Sequence, residues 1–258
     1  LSRYLDQVDG ALVELLDRLG AGRHDVVTLG HSGASVVRLL GAGGRPVGYL
    51  KAAPSRMRDL AEVVDAERAR LDWLRARGVP VPKVVGWGRE PDLTWVLTAA
   101  VRGVPMSDPW PSVERDRVVA VFGETLRALH SLEPAGCPFD FSPSARLRAA
   151  RQRVGDDAAL AGLASAVPDG TSVVGHGDYC LPNVLIAPGG DVHFVDVGQA
   201  GLADRHSDVA DALRSIRGDL NPQFDESHAQ RFLDAYGRGD IVDDWLRWFD
   251  DVDRFFRR

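Results

Sequence analysis

The sequence predicts an α+β fold in two lobes, a small β-rich lobe over residues 1–99 and a larger, mainly helical lobe over residues 100–258. Three observations lead there. Short runs rich in β-branched residues crowd the first hundred positions, broken by one long amphipathic segment. Beyond position 100, helical apolar spacing dominates. One hairpin-like stretch interrupts those helices, and it carries the densest polar pattern in the chain: His176-Gly-Asp-Tyr-Cys-Leu-Pro-Asn183, then Val192-His-Phe-Val-Asp-Val-Gly198.

The elements follow in order. Leu5, Val8, Leu12, Leu15, Leu16 and Leu19 form one stripe, so the chain opens on a helix. Two β-rich runs, 25–29 and 36–40, are joined by Leu29-Gly-His-Ser-Gly-Ala-Ser35. Small residues let backbone N–H groups approach phosphates closely, which makes Ser32 and Gly33 candidates for that contact. The run Pro46-Val-Gly-Tyr-Leu-Lys51 is a third strand ending in lysine. Residues 58–77 have helical apolar spacing at Leu60, Val63, Val64, Leu71 and Leu74. Thr94-Trp-Val-Leu-Thr-Ala-Ala100 is a buried strand leading into the connection between lobes, where Thr98, Ala99 and Val101 would offer groups to a purine edge. Helices are expected at 113–131, 145–154, 204–217, 223–236 and 242–256, the last crowded with Trp245, Trp248, Phe249, Phe255 and Phe256. Asn183-Val-Leu-Ile-Ala187 and 192–196 are the strands of the hairpin, with Pro188-Gly-Gly-Asp191 as its turn.

The polar pattern has a chemical meaning. H-x-D-x-x-x-x-N followed by D-x-G is the order and spacing of the protein-kinase signature, with Gly177 in place of Arg and Val197 in place of Phe. Asp178 would orient a hydroxyl nucleophile and take its proton. Asn183 and Asp196 would supply the hard oxygen ligands that Mg²⁺ prefers. Pro182 restricts the backbone next to Asn183. His176 is read as a brace for the loop. Of 31 basic residues only Lys51 and Lys83 are lysines, so Lys51 stands out as the compact cation that fits between phosphate oxygens and a carboxylate. Its partner is expected on the following helix at Glu67, with Glu62 as the fallback.

Composition sets bounds. With 45% hydrophobic and 26% charged residues, the chain is ordinary for a globular protein. A net charge of −6 argues against general nucleic-acid binding and suits a cationic ligand. Two cysteines, Cys137 and Cys180, provide no disulfide framework and point to a reducing compartment, the cytoplasm. Cys180 is read as a small buried hydrophobe rather than a reactive thiol. No transmembrane run and no signal peptide are apparent.

In pattern the chain resembles the aminoglycoside phosphotransferases, closest to the enzymes that modify the 3′ or 3″ hydroxyl. The matching stretches include Tyr49-Leu-Lys51, Glu67-Arg-Ala-Arg-Leu-Asp-Trp-Leu74, Leu129-His-Ser-Leu132, Cys137-Pro-Phe139, the catalytic stretch ending at Asn183, and Asp196-Val-Gly-Gln-Ala-Gly-Leu-Ala-Asp-Arg205. The resemblance implies a two-lobed protein-kinase-like fold. It implies Asp178 as the catalytic aspartate, Asn183 and Asp196 as magnesium ligands, Lys51 with Glu67 as the phosphate clamp, and Asp208 as a brace of the catalytic loop. ATP or GTP would be the co-substrate. Two departures concern the acceptor. The segment between Cys137 and His176 is short and begins with the basic run Arg146-Leu-Arg-Ala-Ala-Arg-Gln-Arg153. The tail, Asp253-Arg-Phe-Phe-Arg-Arg258, keeps one acid. Asp253 is therefore the family-matched candidate for substrate amines, with Asp156 and Asp157 drawn from the shortened segment.

The expectation is a kinase that phosphorylates a hydroxyl of an aminoglycoside and confers resistance. A kinase of another sugar-bearing antibiotic, such as a nucleoside antibiotic, is the near alternative. A metabolic sugar or amino-alcohol kinase, a non-catalytic nucleotide-binding module and a metal-dependent phosphohydrolase stand further off.

Overall fold

The computed structural model describes residues 2–27, 34–155, 157–168, 170 and 172–256, with only the backbone for residues 2–9. The loop containing Ser32 and Gly33 lies outside the described residues, as does Asp156. The chain divides into two compact units, Leu1–Arg102 and Gly103–Arg258.

The N-terminal unit runs α1 (Ser2–Arg18), β1 (His24–Val27), β2 (Ser35–Leu40), β3 (Pro46–Pro54), α2 (Arg58–Ala76), β4 (Val84–Arg89) and β5 (Leu93–Ala99). Its strands form one antiparallel sheet in the order β1-β2-β3-β5-β4. Side chains alternate across a strand, and β3 uses both faces. Leu50 and Ala52 pack with Leu12, Leu15 and Leu16 of α1, and with Val37 and Trp95. Ala53 packs with Val64 of α2 and Val96. Each leucine or valine among them contributes about 1.5–3 kcal/mol on full burial, and each alanine less. Lys51 shares the parity of Ala53, so it stands on the α2 side of the sheet. β3 continues past Lys51 to Pro54, three residues beyond the expected end, because the small Ala52 and Ala53 remain fully packed.

The C-terminal unit contains β6 (Val104–Pro105), α3 (Ser112–His130), α4 (Pro143–Val154), α5 (Ala158–Ala164), β7 (Ser172–Gly175), β8 (Val184–Ile186), β9 (Val192–Phe194), β10 (Gly201–Asp204), α6 (Arg205–Arg217), α7 (Glu226–Tyr236) and α8 (Asp243–Asp253). Four elements exceed the sequence expectation: α5, the two-residue β6, and the antiparallel pair β7–β10 on either side of the catalytic stretch. The expected hairpin is present as β8–β9, and β6 extends it to three strands.

Caps and close packing fix the helices. Asp204 caps α6 through the His206 N–H at 2.8 Å. Asp225 and His228 form a reciprocal capping box on α7. The helices α3 and α7 approach closely at Gly123, where a Cβ would come within 2.5 Å of the Phe232 carbonyl oxygen. A second core joins Leu147 and Ala150 of α4, Leu160 of α5, Ala210 of α6, and Trp248, Phe249, Val252 and Phe255 at the C-terminal end. Most of the tail aromatics are therefore core. Among the described residues, no helix is long and apolar enough to cross a membrane.

Candidate active site

Asp178, Asn183 and Asp196 belong to one connected piece of backbone in the C-terminal unit. The strand β7 ends at Gly175, and the next eight residues form a loop that closes in a single 3₁₀ turn, Leu181–Asn183. Pro182 sits within that turn, where its fixed φ is tolerated. The loop is pinned from several sides. The carboxylate of Asp208, fully buried on α6, accepts the His176 N–H at 2.7 Å and the Gly177 N–H at 2.8 Å. Tyr179 donates its hydroxyl to the Phe122 carbonyl at 2.7 Å and stacks on the Phe122 ring. The Leu181 N–H bonds Ser215 Oγ at 3.0 Å.

Gly177 is required by geometry. Its φ is 83°, and a Cβ there would meet the Gln199 carbonyl oxygen at 2.4 Å. An L side chain at this position would be both strained and blocked. This accounts locally for glycine at the position where protein kinases carry arginine.

His176 braces the loop as expected. Its Nε2 lies 3.1 Å from the Val195 carbonyl, and its Nδ1 accepts the Asp178 N–H at 3.3 Å. Those partners assign the proton to Nε2. The imidazole thereby ties Asp178 to the residue just before Asp196. Asn183 does the same from the other side. Its Nδ2 donates to the Asp178 carbonyl and to Asp178 Oδ2, both at 3.0 Å, while its own carbonyl accepts the Val195 N–H at 2.9 Å.

Asp196 differs from expectation in one respect. The strand β9 stops at Phe194, two residues short of Asp196. Asp196 itself has φ 55°, the one positive value among the described non-glycine residues. Aspartate tolerates this left-handed conformation better than most residues, at a cost of about 1–2 kcal/mol. The turn leaves its side chain exposed.

Burial works against the charge of Asp208, but the His130 hydrogen bond, the nearby imidazoles and the His176 N–H outweigh it and hold this carboxyl below its ordinary value. Cys180 behaves in the opposite sense. Burial pushes its thiol far up, and the charges of Asp178 and Asp211 add to the rise. It stays protonated and poorly nucleophilic.

In the N-terminal unit, Lys51 Nζ donates to Glu67 Oε2 at 2.6 Å, and both side chains are largely buried. Glu67 follows the buried Val64 by three positions on α2, which puts it on the sheet-facing side. Glu67 rather than Glu62 is thus the partner of Lys51. Thr98 and Ala99 lie at the end of β5, where Ala99 gives its N–H to the Lys83 carbonyl at 2.8 Å. The next donor, Ala100, bonds the Val47 carbonyl at 3.0 Å.

Two of the three acids expected to meet the acceptor, Asp157 and Asp253, are engaged within the protein. Asp157 caps α5, its Oδ1 accepting the Ala159 N–H at 2.8 Å and the Leu160 N–H at 3.3 Å. Asp253 is 9% exposed and pairs with Arg146 and Arg214. The basic run containing Arg146 is visible in the sequence, but its contact with Asp253 spans 107 positions and leaves no local signal.

Residues 25–242 match the model of the phosphotransferase enzyme family. An aminoglycoside 3′-phosphotransferase of Streptomyces fradiae is 36% identical over 251 residues, covering 89% of this chain and 94% of that protein. The crystal structure of a type VIII aminoglycoside-3′-phosphotransferase superposes with a TM-score of 0.84 at 34% identity, covering 96% of this chain and 99% of the other. Aminoglycoside phosphotransferase APH(3″)-Id of Streptomyces rimosus, solved with ADP and streptomycin, gives a TM-score of 0.77 at 27% identity, covering 96% and 98%. The α+β, protein-kinase-like class expected from the sequence is the class these structures share.

Proposed function

The chain belongs to the phosphotransferase enzyme family, among the aminoglycoside phosphotransferases, and from that premise we propose that it transfers the γ-phosphoryl group of ATP or GTP to a hydroxyl of an aminoglycoside and so confers resistance. Phosphorylation of an alcohol group by a nucleotide-dependent kinase is the family's chemistry. The acceptor, the metal and the residue roles are our reading.

The observation that carries this reading is the joining of Asp178 to Asn183 and to the backbone before Asp196. Asp178 would fix an acceptor hydroxyl and accept its proton late in the transfer. Asn183 has its amide nitrogen committed to Asp178, so the amide oxygen is the atom it would give to a cation. With the Asp196 carboxylate this makes an all-oxygen donor pair, which fits Mg²⁺; that ion takes its remaining ligands from phosphates and water. Once bound, it would neutralise charge on the β- and γ-phosphate oxygens. The N-terminal unit would hold the nucleotide through Lys51, oriented by Glu67, with Thr98, Ala99 and Val101 near the base and the Ser32–Gly33 loop on the phosphates. The C-terminal unit would carry the chemistry. Two free cysteines and the need for a nucleoside triphosphate support a cytoplasmic location.

The test uses purified protein, Mg²⁺, ATP or GTP, and a panel of aminoglycosides that includes an analogue lacking the 3′ hydroxyl. The expected result is diphosphate release together with one added phosphoryl group on the drug. No phosphorylated drug from any panel member would sink the reading. One observation favours a second acceptor class: Asp253 is neutralised by Arg146 and Arg214, which thins the acidic surface a polycation needs. Amine recognition predicts that acceptor binding weakens steeply with salt, because exposed charges are screened over about 8–10 Å. Turnover of a singly charged or uncharged sugar-bearing antibiotic in place of aminoglycosides would support that second class.

A further inference from the structure

The helix α6 turns two faces to different neighbours. Asp208 and Ser215 face the catalytic loop, where they accept the N–H groups of His176, Gly177 and Leu181. At about 100° per residue, Ala210, Leu213 and Arg217 come out on the opposite face. That face borders a cavity of about 580 Å³, flanked by α7 and α8. The cavity lies within the C-terminal unit, and Asp178, Asn183 and Asp196 are not among its lining residues.

The lining divides by chemistry. Leu213, Leu233 and Leu246, one from each helix, give it an apolar floor. Around them stand four guanidiniums, Arg214, Arg217, Arg238 and Arg247, against two carboxylates, Asp243 and Asp250. In a chain of net charge −6, that is a local excess of positive charge. Three of the four are loosely held. Arg217 pairs with Glu226 and Arg247 with Asp244, in contacts open to solvent. Arg238 reaches Gln230 at 3.3 Å and Asp243 only at 3.5 Å. Exposed pairs of this kind contribute little, so these side chains can turn to a ligand. Arg214 is different: it holds Asp211, Asp250 and Asp253 and serves as fixed wall.

We propose that this cavity is a second binding site, for a small amphipathic organic anion whose apolar body rests on the three leucines and whose carboxylate or phosphate is held by Arg238 and Arg247. The guanidinium fork matches both oxygen groups in shape and charge. A volume of this size is that of small-molecule sites, which join apolar walls to a few placed polar groups. The same four guanidiniums repel a polycation, so the cavity is not a further place for an amino sugar. The proposal does not depend on the acceptor or on the roles assigned to the phosphoryl-transfer residues.

Titration calorimetry on the purified chain tests this with four probes: 2-naphthyl phosphate, 2-naphthoate, the neutral naphthalene-2-methanol and inorganic phosphate. Three proteins are compared: the parent, Arg238→Gln/Arg247→Gln and Lys51→Ala. The naphthyl anions should bind the parent with Kd below about 1 mM, within reach of ligands of that size. The neutral probe and inorganic phosphate, each half of the ligand, should bind about 10-fold more weakly or less. The arginine double variant should lose about 10-fold or more for the anions, the scale of charge-assisted hydrogen bonds. Lys51→Ala should keep the parent's affinity, which separates this cavity from a phosphate site in the N-terminal unit. Binding of one naphthyl anion alone supports the proposal and names the preferred group. No binding of either anion, binding that follows Lys51 rather than the arginines, or equal binding of the neutral probe or of inorganic phosphate would overturn it. If the double variant does not fold, Arg247→Gln alone, at an exposed position, decides the same question with a loss of about 3-fold or more expected.

Discussion

Asn183 donates its amide nitrogen to two oxygens of Asp178, the backbone carbonyl and carboxylate Oδ2, each at 3.0 Å. One residue of the pair is thereby oriented by the other. Asp178→Asn should keep nucleotide binding, because no nucleotide contact is assigned to it, and lose turnover by ~10²-fold or more, the usual contribution of a positioned base. Steady-state kinetics beside nucleotide titration measure both. Near-normal kcat would remove Asp178 from the mechanism.

The metal prediction separates the two remaining site residues. Asp196→Ala should abolish activity at any practical Mg²⁺ concentration, since the ion loses its charged ligand. Asn183→Ala should weaken activity and recover in part as Mg²⁺ is raised. Rate curves against Mg²⁺ for both variants supply the check; curves that overlay the parent's would dismiss the assignment.

For the clamp, Lys51→Ala should raise KM for the triphosphate more than KM for the acceptor. Lys51→Arg should not restore it fully. The 2.6 Å bond to Glu67 between largely buried partners leaves room for an ammonium, and a planar guanidinium has a different reach and shape. A fully active arginine variant would refute the geometric part of this account.

A pH effect on stability is expected from Asp211. Three carboxylates, Asp211, Asp250 and Asp253, pair with Arg214, and Arg146 adds a second guanidinium at Asp253. Burial lifts the Asp211 carboxyl to about 7 against the pull of Arg214 and Arg146, and Asp208 and Asp178 add to the rise. The folded protein then binds more protons at Asp211 than the unfolded chain between about pH 4 and pH 7, so this residue's contribution to stability falls as pH rises through that window. Asp211→Asn should flatten the slope, leaving the variant with the higher Tm at pH 8 relative to its position at pH 5. The gap should reach several degrees, since each kcal/mol moves Tm by about 2–4 °C in a chain of this size. Parallel melting curves at the two pH values would show that Asp211 does not titrate there.

Much of this was legible in the residues because the signals are local. The turn Pro188-Gly-Gly-Asp191 between two short apolar runs marked the β8–β9 hairpin, and the scarcity of lysine, with acids on the helix that follows Lys51, marked the Lys51–Glu67 pair. What the sequence hid is non-local. β7 and β10 are four residues each and find each other across the catalytic loop, so neither has a period long enough to read. Asp196 looked like the end of a strand, because an aspartate that turns left-handed leaves no trace in apolar spacing. Asp253 looked like an open acid until Arg146 and Arg214, distant in sequence, closed on it. His130 and Asp208 are 78 positions apart, and only packing of α3 on α7 and α6 brings them together.

The pairing of Lys51 with Glu67 has a spectroscopic consequence. A chain with two lysines gives two lysine side-chain signals after reductive methylation with ¹³C-formaldehyde. Lys83 is exposed and would report on bulk solvent. Lys51, tied at 2.6 Å to a carboxylate beneath the sheet, would give a separate, slowly labelled resonance whose shift follows the charge placed beside it. The abundance of arginine, silent to this chemistry, thus leaves one isolated nuclear reporter at the point where triphosphate, diphosphate and empty states should differ.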